Sequence, residues 1–343
     1  MNMKKILSFL CLSALLACSL FVSGCGSESA SSKKIDILFP GGLERWETSG
    51  QQLKSDLEKQ GFTVNLQFAK TGDEQNQQLD AVTESGSACI VIGAVDSKNV
   101  GSSLDKAKTK KIPVIAYDRL PLNTDAVSYY ATFDNEGIGT AMAQYVIEKY
   151  NLKKGAGPYN VEFFQGSDDD NNAHLIDKGM LNELKPYIDR GQLVVASGQK
   201  DFQQTTVKGW DPKNAAERTK KLLTQYYSGR QLDIAMCASD SIAEGVVDGL
   251  TSAGYSSTWP FITGQDATQK NLALVQQGKQ GTTLLKSADV LNNKCVKMVK
   301  AVVEGMQPEI NDLNTYNNGA ITVPTYLCIP LIIDKDNITE AQK

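Results

Sequence analysis

Short apolar segments alternate with amphipathic ones along most of the chain, and this alternation limits the possible folds more than any other feature. KKIDILFP is followed by a stretch with Leu53 and Leu57 at helical spacing, and FTVNLQFA is apolar again. ACIVIGAVD, SKNVGSSLDKAKTKK and IPVIAYD repeat the order strand, helix, strand. Parallel strands need a crossover helix between them. The sequence therefore predicts an α/β fold with parallel sheets.

The second half of the chain repeats this plan. GPYNVEFFQGS, QLVVASG, LDIAMCASD and WPFITGQD are predicted strands, with predicted helices between them. Aligning the two halves places Asp96 opposite Asp240 and Asp118 opposite Asp266, each at the end of a strand. Ligands of parallel α/β sheets bind beyond the carboxyl ends of the strands. Two facing lobes would therefore present these side chains to one shared cleft.

These aspartates also have alternative roles. Asp96 and Asp240 each directly precede a predicted helix, where aspartate commonly caps the first turn. Asp118 is followed by Arg119, a leucine and a proline rather than by a helix. For Asp118 the alternative to a ligand contact is therefore a buried structural pair with an arginine.

The first residues have the layout of a bacterial secretion signal. Lys4 and Lys5 precede an apolar stretch that ends in VSGC, at Cys25. A membrane-spanning helix is the alternative, but the apolar run is marginal for a bilayer and no basic cluster follows it. VSGC resembles a lipobox, which implies cleavage before Cys25 and a diacylglycerol on its thiol. We expect residues 1–24 to be a signal peptide and residues 25–33 a lipidated cysteine with a flexible polar tether.

Charge and cysteine usage exclude further classes of protein. The formal net charge is −4, and loss of residues 1–24 removes two lysines and no acid, which leaves about −6. An acidic body argues against a nucleic-acid partner, because phosphate binding needs a basic patch. Outside the predicted signal and Cys25, no CxxC pair occurs, so a structural zinc site is not expected. The scattered cysteines are Cys89, Cys237, Cys295 and Cys328.

Tests for catalysis and for metal or cofactor binding are negative. His174 is the only histidine, so every Ser-His-Asp or Cys-His mechanism would depend on it. GIGTAMA lacks the third glycine of a dinucleotide fingerprint, and no phosphate-binding P-loop motif occurs. GSDDDNNAH fails as an EF-hand, since Ala173 and Gly179 occupy the positions of the required glycine and glutamate. We expect no enzyme activity, no cofactor and no metal.

Charged and aromatic side chains near the predicted strand ends suit a sugar. Carboxylates accept hydrogen bonds from hydroxyl groups, while arginine, lysine and asparagine donate them. Tryptophan offers a flat apolar surface to a pyranose ring, although core packing is an equal alternative for Trp46 and Trp210. The strand-end groups are Arg45, Trp46, Asp118, Arg119, Asp170 to Asn172, Trp210, Asp266 and Lys286.

Several motifs in order resemble one family. From about Ile35 to the end, IPVIAYDRL, YYATFDN, DDNNA, WDP and ITGQDA resemble the periplasmic sugar-binding proteins of ABC transporters, especially the multiple-monosaccharide and xylose-binding group. This resemblance implies the type I periplasmic binding protein fold, two Rossmann-like parallel-sheet lobes joined by a three-strand hinge with the sugar between them. It implies an N-terminal lobe of residues 34–135 plus 288–324 and a C-terminal lobe of residues 136–287 plus 325–343. The crossovers would lie near residues 133–136, just after Lys286, and near Pro324.

The resemblance also implies which residues contact the sugar. Ser239 precedes Asp240 where xylose binders have an asparagine, which leaves that contact and the preferred sugar open. Asp168 and Asp169 are expected to be solvated or to cap the next helix, and His174 to be incidental. The implied sugar contacts are Arg45, Trp46, Asp118, Arg119, Asp170, Asn172, Trp210, Asp266 and Lys286.

The resemblance and the lipobox together imply a lipoprotein that lies on the outer face of a bacterial plasma membrane or in the periplasm. It would bind a monosaccharide of the xylose, glucose, galactose or arabinose type and deliver it to an ABC permease. The lipid would be its only contact with the membrane. The alternative is a sensor that presents its ligand state to a chemoreceptor or a histidine kinase. A sugar-responsive repressor would need a DNA-binding module where the signal peptide lies.

Overall fold

A computed structural model of the protein describes residues 33–342, and residues 34–342 belong to one compact unit. The predicted signal peptide and Cys25 lie outside the described residues. The strands are β1 (Lys34–Pro40), β2 (Thr63–Ala69), β3 (Cys89–Ile92), β4 (Val114–Tyr117), β5 (Tyr129–Phe133), β6 (Tyr159–Phe164), β7 (Leu193–Val194), β8 (Ile234–Cys237), β9 (Phe261–Ile262), β10 (Thr283–Leu285), β11 (Thr325–Cys328) and β12 (Leu331–Ile333). The helices are α1 (Glu44–Lys59), α2 (Gly72–Glu84), α3 (Gly101–Thr109), α4 (Asn135–Lys149), α5 (Asn171–Asp189), α6 (Phe202–Thr205), α7 (Pro212–Tyr226), α8 (Asp240–Ser252), α9 (Gln269–Gln276) and α10 (Ala288–Val303).

The first lobe is a six-stranded parallel sheet in the order β11-β5-β4-β3-β1-β2, with α1, α2, α3 and α10 packed on it. Its central strands β3 and β4 are buried along their whole length. Because helices cover both faces of a parallel sheet, neither side of a central strand contacts solvent. The apolar runs in the sequence around residues 89–92 and 114–117 follow from this burial.

The second lobe is a four-stranded parallel sheet in the order β7-β6-β8-β9, with α4, α5, α7 and α8 around it. β10 continues this sheet beside β9, since Gly281 N–H donates to Ile262 O and Leu284 N–H donates to Gly264 O. β12 pairs antiparallel with β10. Mixed α/β architecture with parallel sheets in two lobes therefore agrees with the prediction. The predicted strands QLVVASG and WPFITGQD are shorter than expected, with two paired residues each.

The chain passes three times between the sheets. It leaves β5 for α4 at Asp134 and leaves β10 for α10 at residues 286–287. The third passage differs from the prediction. Residues 325–328 were expected in the C-terminal lobe, but they form β11 and pair with β5 of the first sheet. The third crossover therefore lies at residues 329–330, because one more strand completes the first sheet before the chain leaves it.

The helix-capping roles suggested for Asp96 and Asp240 are wrong. Ser239 caps α8, where its side chain accepts a hydrogen bond from Ile242 N–H, and Asp240 is the first helical residue. Helix α3 begins only at Gly101, so Asp96 instead accepts from Lys98 N–H within the preceding loop. Among residues 33–342, no helix combines the length and apolar character needed to cross a membrane.

The position of Asp177 on α5 leads us to expect that the free energy of unfolding depends on pH. Burial raises the pKa of Asp177 from 3.8 to about 6. The folded protein then binds this proton more tightly than the unfolded chain does. The contribution of protonated Asp177 to the free energy of unfolding is complete below about pH 4. It is lost as the pH rises through about 6. Asp177→Asn cannot ionise, so we expect it to raise the free energy of unfolding by about 1–3 kcal/mol at about pH 8 and not at about pH 4.

Urea unfolding at the two pH values measures this difference. Asp189→Asn is the matched control, because Asp189 lies on the same helix in an exposed pair with Lys185 at 2.6 Å. We expect the control to change the unfolding free energy by less than about 0.5 kcal/mol at either pH. An equal gain for Asp177→Asn at both pH values would contradict the ionisation argument.

Candidate functional site

The carboxyl ends of the strands in both lobes converge on one cavity of about 500 Å³. This volume lies within the range of ordinary small-molecule sites. Of the nine predicted contact residues, eight line the cavity. They are Arg45, Asp118, Arg119, Asp170, Asn172, Trp210, Asp266 and Lys286.

The turn after β4 gives Asp118 an unusual backbone. Asp118 has φ +60, a left-handed conformation that aspartate tolerates better than most residues. Its carbonyl accepts hydrogen bonds from Tyr130 Oη, from Thr132 Oγ1 at 3.1 Å and from Asn172 Nδ2 at 2.8 Å. These donors fix the turn, and the turn directs the Asp118 carboxylate into the cavity.

Asp118 is the centre of a charge network that contains both lobes. Its carboxylate lies 2.9 Å from Arg45 Nη1 and 3.5 Å from Lys286 Nζ. Lys286 Nζ also lies 3.3 Å from Asp266 Oδ1, and Arg45 Nη1 lies 3.9 Å from the same atom. The alternative of a buried pair with an arginine is therefore present as well, since Asp118 pairs with Arg45 while its carboxylate also borders the cavity.

This network shifts the pKa values of its members. Burial alone would raise the pKa of Asp118, but Arg45 and Lys286 outweigh burial and hold it well below its usual range. Burial alone would lower the pKa of Arg45, but the carboxylates of Asp118 and Asp266 raise it instead. Both groups therefore stay charged over the whole physiological range and remain available as strong hydrogen-bonding partners.

Arg119 pairs with the second lobe instead. Its Nε lies 2.7 Å from Asp170 Oδ2, and both side chains are almost completely buried. The other oxygen of Asp170 accepts from Asn172 N–H at 2.9 Å and caps α5, a role expected for Asp168 or Asp169. Burial raises the pKa of Asp170, and Arg119 partly offsets this rise.

The structure does not place Trp46 at the cavity wall. Its ring is 1% exposed and packs in the first-lobe core, 5.1 Å from the ring of Phe39 and 6.2 Å from that of Tyr117. The guanidinium of Arg45 lies over the same ring at 4.5 Å. The direct sugar contact expected for Trp46 is therefore replaced by packing in the core, where the ring supports the guanidinium of Arg45. The reason is that the first turn of α1 directs Trp46 inward.

Trp210 lies at the cavity, in agreement with its predicted position. It precedes α7 with φ +57, and its ring packs over Gly166. A Cβ on Gly166 would clash with that ring, so glycine is required there. Among the described residues, Trp210 Nε1 has no hydrogen-bond partner although it is buried. A ligand oxygen would satisfy it.

Ser239 lines the cavity but Asp240 does not. Asp240 is fully buried and accepts from Gln280 Nε2 and Thr283 Oγ1 at 2.8 Å each and from Thr268 N–H at 3.0 Å. It therefore organises the loops behind Asp266. His174 lies outside the cavity, with Nε2 3.1 Å from Asp168 O.

Sequence reasoning missed several lining residues. Gln265 could have been found from the motif ITGQDA, since it directly precedes Asp266 at the same strand end. Ser241 and Glu244 lie on the first turns of α8 and gave no signal of their own. The charged residues missed at the wall are Glu44, Lys70, Asp169, Asp211, Lys213 and Glu244.

The cavity is rich in charge yet close to balanced. Three cations and three carboxylates among the predicted contacts cancel, and the additional wall residues contribute two lysines and four acids. The lining therefore carries a formal charge of about −2 and suits an uncharged ligand with many hydroxyl groups better than an anion. Within residues 33–342, no group of three His, Cys, Asp or Glu side chains is arranged to hold a metal ion.

These features define a two-lobed binding protein of the periplasmic type. Residues 37–307 match the model of the periplasmic binding protein domain, and the chain belongs to this family. This confirms the family that the sequence motifs indicated.

Individual relatives agree with this assignment. The multiple sugar-binding periplasmic receptor ChvE of Rhizobium radiobacter is 36% identical over 98% of this chain and 95% of its own. The D-xylose-binding periplasmic protein of Escherichia coli (strain K12) is 30% identical over 99% of this chain and 96% of its own. These relatives are named as binding proteins and not as enzymes, as the sequence predicted for this chain.

A solved structure gives the same fold. It is the solute-binding protein of an ABC transporter from Clostridium phytofermentans with bound β-D-glucose. It is 39% identical, covers 91% of this chain and 97% of its own, and superimposes with a TM-score of 0.89. The two-lobed α/β architecture is thereby confirmed.

Proposed function

We propose that this protein binds a monosaccharide between its two lobes, in the cavity around Asp118. The observation that supports this most is the ring of alternating charges from both lobes, Arg45, Asp118, Lys286 and Asp266, in a cavity that Trp210 also lines. Several fixed donors and acceptors suit a ligand that carries a hydroxyl on every carbon. Xylose and glucose are the leading candidates, since relatives are named or titled for D-xylose, for β-D-glucose and for multiple sugars, and galactose and arabinose are the other sugars that the sequence motifs suggest.

Calorimetry of the mature protein against aldopentoses and aldohexoses tests this proposal. We expect one or a few of these sugars to bind with dissociation constants of about 1 μM or lower, because four or five charge-assisted hydrogen bonds suffice for that affinity. At neutral pH the matching uronic acids should bind at least about 10-fold more weakly, since they add a negative charge to a lining that already carries an excess of acids. The absence of heat from every monosaccharide would refute the proposal.

Lobe closure around the sugar would be a hinge motion selected by the ligand. The moving units would be residues 34–133 with 288–328, and residues 135–285 with 331–342, according to the sheet to which each element belongs. The three passages of the chain at residue 134, residues 286–287 and residues 329–330 would form the hinge.

The same proposal includes a lipid anchor and delivery to an ABC permease. VSGC at Cys25 supports the anchor, and membership of the family supports transport. Mass spectrometry of the N-terminal peptide from native membranes tests the anchor, with a diacylated Cys25 as the expected result. Recovery of a cysteine that carries no lipid would exclude it.

Sensing is a second candidate, because the Rhizobium radiobacter relative is named a receptor. Both functions would use the outer surfaces of the lobes. Co-purification after cross-linking in native membranes distinguishes them, since a transport protein would recover permease subunits and a sensor would recover a chemoreceptor or a histidine kinase.

A further inference from the structure

Two consecutive residues at the edge of the cavity have a strained backbone. Asp266 has φ +103 and Ala267 has φ +50, and both values lie in the left-handed region that residues other than glycine rarely adopt. We call residues 266–268 the Asp266 turn. It places the Asp266 carboxylate at the cavity, 3.3 Å from Lys286 Nζ. A strained backbone of this kind persists only where its surroundings hold it.

The amides of the Asp266 turn show which groups hold it. Asp266 N–H donates to a backbone oxygen of β10 at 2.8 Å. Ala267 N–H donates to Thr283 Oγ1 at 3.2 Å, and Thr268 N–H donates to Asp240 Oδ2 at 3.0 Å. Thr283 Oγ1 itself lies 2.8 Å from Asp240 Oδ1. The carboxyl group of Asp240 therefore holds two of the three amides, one directly and one through Thr283.

Asp240 contacts neither the cavity nor a cation. Its side chain is fully buried and does not line the cavity, and within residues 33–342 it forms no ion pair. Its remaining partner is Gln280 Nε2 at 2.8 Å. A Cβ on Gly264 would clash with both of these groups, so the backbone just before the turn packs directly against them. Asp240 can therefore act on a ligand only through the groups that it holds.

These hydrogen bonds do not depend on the charge of Asp240. Burial, and next the carboxylate of Asp266, raise the pKa of Asp240 to about 8. The Thr283 hydroxyl has one hydrogen and two lone pairs. It can donate to the carboxylate or accept from the carboxylic acid, and it accepts from Ala267 N–H in both cases. The network therefore holds the turn in either protonation state of Asp240.

We propose that Asp240 and Thr283 are positioning residues, which set the affinity for the sugar by holding the Asp266 turn although neither of them lines the cavity. The inference rests on the proposed monosaccharide-binding function. It gives Asp240 a role other than the helix cap and the direct ligand contact that its place in the sequence suggested.

Thr283→Val removes the hydroxyl group and keeps the branched shape of a buried strand residue. The Asp266 turn then loses one of its amide bonds and is correctly formed in only a fraction of the molecules, so the apparent affinity falls by that fraction. We expect calorimetry with D-glucose and D-xylose to show affinities about 10-fold below those of the wild type. Asp240→Ala also releases the amide of Thr268, and we expect a loss of about 100-fold.

Thr282→Val is the matched control. Thr282 is adjacent and equally buried, but its Oγ1 donates to Ile333 O in β12 at 2.7 Å instead of holding the Asp266 turn. We expect the control to bind within about 2-fold of the wild type. Thermal melting of each ligand-free variant verifies that it folds, and Thr283→Val decides the question if Asp240→Ala does not.

Asp266→Ala separates positioning from a general loss of stability. Without the Asp266 carboxylate, a loosened turn has no sugar contact left to misplace. We therefore expect Thr283→Val to lower the affinity by less than about 2-fold in this background. A merely structural role would lower the affinity by the same factor in both backgrounds.

A second measurement needs no ligand. The amide hydrogens of Ala267 and Thr268 exchange with solvent when the turn opens. In the ligand-free protein we expect Thr283→Val to accelerate their exchange by at least about 10-fold, measured by NMR, and Thr282→Val to leave it unchanged.

The outcomes separate this proposal from the proposed function. A wild type that binds no monosaccharide refutes the function, while the exchange rates still decide whether Thr283 and Asp240 hold the turn. An equal affinity loss for Thr283→Val with and without the Asp266 carboxylate would overturn the positioning role. Wild-type affinity in both Thr283→Val and Asp240→Ala would also overturn it, whatever the exchange rates.

Discussion

Asp118→Asn is expected to lower the affinity for the preferred sugar by about 100-fold or more. The substitution preserves the size of the side chain and its tolerance of φ +60 but removes the negative charge between Arg45 and Lys286. Two cations then face the ligand without their shared partner, and the sugar hydroxyls lose a carboxylate acceptor whose charge-assisted hydrogen bonds are worth about 1.5–3 kcal/mol each. Isothermal calorimetry with the preferred sugar measures the loss.

The stability of the ligand-free Asp118→Asn variant should change much less than its affinity. Arg45 retains Asp266 within 3.9 Å and is partly exposed, so solvent can take over part of the lost interaction. Asp125→Asn is the matched control, because Asp125 forms an exposed pair with Lys108 in the same lobe. We expect the control to bind normally and to lose less than about 0.5 kcal/mol of stability. A collapse of the ligand-free Asp118→Asn protein with intact affinity in the folded fraction would assign the residue a purely structural role.

We expect Trp46→Ala to lose mainly folding stability and Trp210→Ala to lose mainly affinity for the sugar. Trp46 is enclosed by Phe39 and Tyr117, so its truncation leaves a core cavity and should lower the free energy of unfolding by about 3–5 kcal/mol. Trp210 lines the cavity whereas Trp46 does not, so its truncation should mainly reduce affinity, by at least about 10-fold. Urea unfolding and calorimetry on both variants measure the two effects.

Trp259→Ala completes this comparison, since the chain has three tryptophans. Trp259 lies away from the cavity, donates from Nε1 to Lys279 O at 2.8 Å and is only partly buried. We expect normal affinity and a stability loss of about 1 kcal/mol. If Trp46→Ala reduced affinity more than Trp210→Ala did, the assignment of the two rings to core and cavity would be wrong.

The sequence was most informative about the site where an apolar run predicts a buried strand and a polar residue directly follows it. Buried parallel strands favour unbroken apolar runs, and such runs located β3, β4 and β8 together with the polar residues that follow them. Asp118 and Asp266 were found in this way, and both lie at the cavity. Short strands were harder to define. In β7 and β9 only two residues pair, because neighbouring loops take over the remaining backbone bonds.

Partners of charged residues could not be predicted from the sequence. Asp118 and Arg119 are adjacent in the chain, yet their side chains diverge, one to Arg45 and Lys286 and the other to Asp170. The left-handed turn at Asp118 causes this divergence, and no single-residue pattern predicts it. The addition of β11 to the first sheet is equally non-local, since it depends on pairing with a strand almost two hundred residues earlier.

The sequence alone determined the α/β class, the family and most of the polar residues at the cavity, because these follow from local periodicity and from motifs that lie on strand ends. Only the tertiary structure decided that Trp46 is a core residue, that Asp240 organises loops, and that Asn172 Nδ2 donates to Asp118 across the lobes. Side-chain direction, burial and hydrogen-bond saturation depend on neighbours that are distant in the chain. The role of each polar group is set by those neighbours, and its position by the strand that it follows.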